Sequence, residues 1–122
     1  MADFEKEQAL VDAYIAYLTR TEGKEIYGPC TFGGYEDVGR KTFGLCRYPK
    51  QFVAEILLGE RYPWDKCELF RRAVIYHETI HAYLYLVDGV CNSHDAEFQR
   101  LRKKKPLLWI ADGVMKFVWF WK

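Results

Sequence analysis

A chain of 122 residues, half of them hydrophobic, is long enough to bury one modest core and too apolar to remain disordered. Its 18 Lys and Arg against 17 Asp and Glu leave a formal charge of +1, which excludes a generally electropositive surface and confines any contact with nucleic acid to a local patch. No run approaches the roughly 18 apolar residues of a membrane-spanning helix, and the acidic opening MADFEKEQ lacks the basic-then-apolar order of a signal peptide; the expectation is a soluble, intracellular protein, cytoplasmic or nuclear, with no membrane partner.

Residues 3–20, DFEKEQALVDAYIAYLTR, set Leu10, Val11, Tyr14 and Leu18 on one helical stripe, and Gly23 supplies a stop, so the chain is expected to open with a packing helix. From Ile26 to about Leu58 the punctuation GPC, FGGY, VGRKTFG and YP separates short segments rich in Tyr, Phe and Val, which predicts a small antiparallel sheet. Within it QFVAEILLGE suits either a strand or a short helix, and periodicity does not separate the two. The four cysteines, at 30, 46, 67 and 91, include no C-x-x-C pair and follow no export signal, so they read as reduced, mostly buried thiols. Cys91 stands apart, three residues before a histidine.

Pro63 ahead of Asp65, with Glu68 three residues on, has the spacing of a capping box and predicts a helix over DKCELFRRAVIYHETIHAYLYLVD, ended by Gly89. Between Ala73 and Val87 it is apolar on nearly all sides, which marks a buried central helix. A further helix is expected to start at Asn92 or Ser93 and to run through EFQRLRKKK until Pro106 stops it. The tail LLWIADGVMKFVWFWK repeats apolar residues at 107, 110, 114, 117, 118 and 121, a packed-helix pattern despite its strand-prone aromatics. With no repeat and no linker, residues 1–122 read as a single α+β domain: an N-terminal helix, a small sheet, a central helix and a following helix.

The stretch HETIHAYLYLVDGVCNSHDAEF, residues 77–98, holds all three histidines. His77 and His81, four apart, project from one face of a helix one turn apart and can chelate a single metal ion. Glu78 points to an adjacent surface, where its carboxylate can take a proton from water without completing the coordination. Uncompensated imidazoles and a carboxylate would be costly to bury in so apolar a helix. A catalytic zinc site needs three protein ligands and an open position. The helix climbs about 10 Å from His81 to Asp88, and the segment from Asp88 to His94 can extend about 20 Å, so a turn at Gly89 can return His94 to the metal. The reading is one Zn2+ per chain on His77, His81 and His94.

At these residues the chain resembles the metalloprotease domain of the SprT and Spartan family, whose pattern is H-E-x-x-H-A, a variable loop, then G-H-G-x-x-F. The match falls on His77, Glu78, His81, Ala82, His94 and Phe98, and FGLC agrees with the Gly-x-Cys segment common in the family. Ser93 and Asp95 stand where the family has glycines, and the zinc ribbon found after the protease domain in many relatives is missing from the sequence. The resemblance implies a zincin-like minimal metalloprotease domain that cleaves proteins, often ones associated with DNA, with Glu78 as general base and then proton donor to the leaving amine. Asp88, Asp95 and Glu97 are candidates to orient a ligand imidazole, although an acid at a helix start is ordinarily a cap, and Tyr83 and Tyr85 are candidates to reach an oxyanion, although tyrosine on a buried helix is ordinarily core.

The run RLRKKK, with Arg100, Arg102, Lys103, Lys104 and Lys105, is either a phosphate-binding stripe for DNA or a solvated helix end whose cations suit the dipole. Two further readings compete with a monomeric zinc metalloendopeptidase acting on protein or peptide: a non-catalytic DNA- or protein-binding module with a structural zinc site, and a hydrolase of a non-peptide bond. Glu78 favours catalysis, since a structural site has no need of a base there.

Overall fold

The computed structural model describes residues 4–39, 42–91 and 93–120, with side chains as far as residue 113. Readings placed on Asn92, Trp121 and the side chains of Val114, Phe117 and Val118 lie outside these residues. In chain order the protein forms α1 (Glu5–Glu22), β1 (Cys30–Glu36), β2 (Gly44–Lys50), β3 (Val53–Gly59), a single 3-10 turn (Trp64–Lys66), α2 (Glu68–Asp88), α3 (Ala96–Lys103) and α4 (Pro106–Phe120). The class is α+β, as expected, with four helices and one three-stranded sheet among the described residues. No helix among them is long and apolar enough to cross a membrane.

The sheet corrects the antiparallel expectation. Its order is β1-β3-β2, with β2 antiparallel and β1 parallel to β3. The reason lies in β3, the segment that periodicity left undecided: Ile56, Leu57 and Leu58 are all buried, so both faces of this strand must be covered and it takes the centre. Its tight connection from β2 makes that pair a hairpin, and β1 is left to join the far edge in parallel. FGGY is not a turn but lies inside β1, where the register against β3 slips between Phe32 and Gly34. Pro49 sits in β2, an outer strand, where a missing N–H is tolerated.

The two outer edges differ. From α1, the Gln8 side chain accepts a hydrogen bond from Phe32 N–H at 2.8 Å and donates to the Cys30 carbonyl at 3.2 Å, engaging the backbone of β1. Val11, Tyr14 and Leu18 of α1 are buried in the core, while Leu10 is half-buried at its margin. β2 has no such cover from a strand among the described residues.

α2 runs through the middle, in contact with the sheet, α1, α3 and α4, and every residue from Ala73 to Leu84 is buried. It begins at Glu68, not at Asp65. The indole of Trp64 is buried and donates to the Gly59 carbonyl at 2.6 Å, which holds residues 64–66 in the 3-10 turn, and Glu68 pairs with Arg71 and Arg72 instead of capping. Gly89 ends the helix in the left-handed conformation, φ 72°, with its N–H on the Tyr85 carbonyl at 2.9 Å. α3 also starts later than expected: Asp95 is its cap, accepting from Phe98 N–H at 3.1 Å. In α4, Leu107 and Ile110 are exposed, contrary to the predicted stripe; the inward face there carries Leu108 and Asp112.

Candidate metal centre

The helical spacing of His77 and His81 brings both rings to one face of α2, their centroids 5.2 Å apart. The turn at Gly89 and the cap at Asp95 return His94 to that face, with its Nε2 3.1 Å from His81 Nε2. One ligand atom from each of the three histidines lies within 4.8 Å of the others. Metal–nitrogen bonds of about 2.05 Å at tetrahedral angles place such atoms about 3.4 Å apart, so a single ion fits among them after small side-chain adjustments. His77 and His81 are buried; His94 is exposed, so the cluster is approached from the His94 side. Asp95 and Ser93, in place of glycines, do not prevent the return of His94: Asp95 serves as the helix cap.

Phe98 forms the floor. It is fully buried and packs against all three imidazoles, stacked on His81 at 4.4 Å and edge-on to His77 and His94 at 4.9 and 4.8 Å. Phe98 is a position of the family pattern, and here it packs the three rings together.

Glu78 is buried at 7% exposure, on the wall of a small cavity of about 130 Å³ shared with Thr42, Phe43, Gly44, Val74, His77 and Asp112. Gly44 is needed for this wall, because a Cβ there would come within 3.0 Å of Val74 and 2.9 Å of the Leu57 carbonyl. Burial pushes the Cys46 thiol up to about 12, and the Glu78 carboxylate pushes in the same direction, so this buried thiol stays neutral. Thus FGLC lies beside Glu78. The four cysteines are all free; Cys30 and Cys46 are buried, Cys67 is half-buried, and the exposed Cys91 is not among the converging ligand atoms.

The acids near in sequence do not orient the histidines. Asp88 pairs with Lys24 at 3.6 Å, Asp95 caps α3, and Glu97 pairs with Arg100. The contact comes instead from α4, where Asp112 Oδ2 lies 3.2 Å from His77 Nδ1 and 2.9 Å from Arg102. A signal for it existed: Asp112 is the lone charge between Lys105 and Lys116 in an apolar helix. Tyr83 donates to the Lys24 carbonyl at 2.7 Å, and Tyr85 accepts from Phe52 N–H at 3.2 Å, so both hydroxyls are engaged away from the histidines.

The basic run is drawn into the protein's own interactions. Arg100 and Lys104 both hold Glu22 at the end of α1, at 3.2 and 2.5 Å, and the Arg100 hydrogen bond, with help from Lys104, brings the Glu22 carboxyl down to about 2. Arg102 is on Asp112, Lys103 lies over the Trp109 ring, and Lys105 stands 4.1 Å from the Tyr17 ring centroid.

The fold and site define an α+β domain whose central helix and following segment converge three histidines suited to a metal ion. Residues 35–105, more than half of the chain, match the model of the SprT-like family, and the protein belongs to that family. No curated protein and no solved structure matches the chain.

Proposed function

We propose that the protein is a zinc-dependent metalloendopeptidase of SprT type, with one Zn2+ per chain held by His77, His81 and His94 and with Glu78 as the catalytic base. The observation that carries this is the convergence of three imidazole nitrogens within 4.8 Å beside a buried carboxylate in a cavity. Zinc in such a site supplies Lewis acidity, polarising a scissile carbonyl and making water acidic enough to lose a proton near neutrality. The chain's residues do the rest. Glu78, on the turn next to His77, accepts the proton of the attacking water and returns it to the departing amine. Phe98 holds the three rings in register, and the wall of Phe43, Gly44 and Val74 limits solvent around the carboxylate.

A purely structural zinc would leave a buried base without a task, and three protein ligands leave a fourth position for chemistry. A peptide substrate is favoured by the sheet. The edge of β1 is engaged by Gln8, whereas β2, whose first residue Gly44 lines the Glu78 cavity, is an edge strand that can hydrogen-bond an extended chain. Contact of DNA with the run at 100–105 would have to displace the partners those side chains already have.

The test is Glu78→Gln, which preserves shape and cannot accept the proton. It should keep one zinc per chain by elemental analysis and lose on the order of 10²- to 10⁴-fold in cleavage of an unfolded protein. Undiminished cleavage would remove Glu78 from this role, and a parent protein with no zinc would remove the proposal.

A further inference from the structure

The family match ends at residue 105, yet the chain that follows reaches back into the site. Asp112 of α4 is 2% exposed, and its Oδ2 faces both His77 Nδ1 and Arg102. A carboxylate only accepts, so the proton of this hydrogen bond sits on Nδ1, and the lone pair of His77 is left on Nε2 as its metal-binding nitrogen. An acid buried in an otherwise apolar helix is costly unless its charge is matched. Arg102 provides that match from α3, the helix that follows His94. The neutral imidazole and its two charged partners therefore connect α2, α3 and α4 at the ligand cluster.

We propose that Asp112 is a positioning residue for the metal ligand His77, supplied by α4 from outside the family-matched segment, with Arg102 as its counter-charge. The inference rests on the metal reading above and adds to it a residue that fixes the tautomer and direction of one ligand. Partners of this kind typically change metal affinity by about 10- to 100-fold. A merely structural role would be to dock α4, and it makes a different prediction for Arg102.

The experiment compares the parent with Asp112→Ala, Asp112→Asn and Arg102→Gln in the full chain. Zinc affinity is read by competition with a chromophoric chelator, ligand geometry by the visible spectrum of the Co2+ form, and the metal-free fold by unfolding in chelator. Asp112→Ala should bind zinc about 10- to 100-fold more weakly with altered Co2+ bands. Asp112→Asn, whose amide oxygen can still accept from Nδ1, should fall between it and the parent. Arg102→Gln should bind zinc at least as tightly as the parent, because it removes a cation near the metal, while its metal-free form loses stability. Should Asp112→Ala fail to fold, the near-isosteric Asp112→Asn decides. Parent-like zinc affinity in the Asp112 variants, or a loss in Arg102→Gln equal to that in Asp112→Ala, overturns the positioning role and leaves only docking. A parent that takes up no zinc overturns the metal reading itself, which the same titration distinguishes.

Discussion

Phe98→Ala removes a side chain that packs against all three histidines. Because Phe98 is fully buried, truncation should cost about 3–5 kcal/mol in the metal-free protein. That is a large part of the roughly 5–15 kcal/mol of a typical domain, so Phe98→Leu, which keeps most of the volume and loses the flat face, is the more informative partner and should cost about 1 kcal/mol. The second effect is on zinc. A ligand present at about 1,000 times its Kd stabilises the fold by about 4.1 kcal/mol, and each tenfold loss of affinity removes about 1.4 kcal/mol of that. If the ring holds the imidazoles in register, Phe98→Leu should therefore lose at least about 1.4 kcal/mol more in zinc than in chelator. Urea unfolding of parent and variant under both conditions gives the two differences directly. Equal losses with and without zinc would refute the argument and reduce Phe98 to a core filler.

Glu22 titrates at about 2 in the folded protein against 4.5 for an ordinary glutamate, so its contribution to stability is present above about pH 4.5 and lost as pH falls toward 2. Glu22→Gln should be less stable than the parent at pH 7, and the gap should close on acidification through that window, read from thermal midpoints at successive pH values. Gly44→Ala should cost about 1–3 kcal/mol, since its Cβ meets the Leu57 carbonyl and Val74. It should also impair cleavage with zinc content unchanged, because Gly44 walls the Glu78 cavity; an unaltered melting midpoint would contradict the packing argument.

What could be read from the sequence was what depends on local spacing. The four-residue step from His77 to His81, the stop at Gly89 and the reach from Asp88 to His94 are properties of one short stretch, and the structure realises them at α2 and its exit. Partners distant in sequence escaped. Asp88, Asp95 and Glu97 are the acids near the histidines in sequence, while the carboxylate on His77 comes from 35 residues away. The run at 100–105 read as free charge because Glu22, 78 residues from Arg100, gives no sign in the local pattern that it will meet the run. The sheet failed for a related reason: turn punctuation marks the hairpin of β2 and β3 but not the insertion of β3 beside β1, which burial on both faces decides. Asp65 had the spacing of a cap, but burial of the Trp64 indole claimed that segment.

The unequal edges of the sheet also bear on self-association. An uncovered strand invites pairing with any other extended chain, including a second copy of the same protein. With Gln8 on the backbone of β1, that exposure falls to β2, and along β2 it is uneven. Arg47, Pro49 and Lys50, all exposed, occupy its far half, where charge and a missing N–H discourage a stranger from zipping along the strand. Gly44, Leu45 and Cys46, at the end nearest Glu78, carry no such guard. The stretch of β2 without charge or proline is thus short and lies at the end that borders the Glu78 cavity.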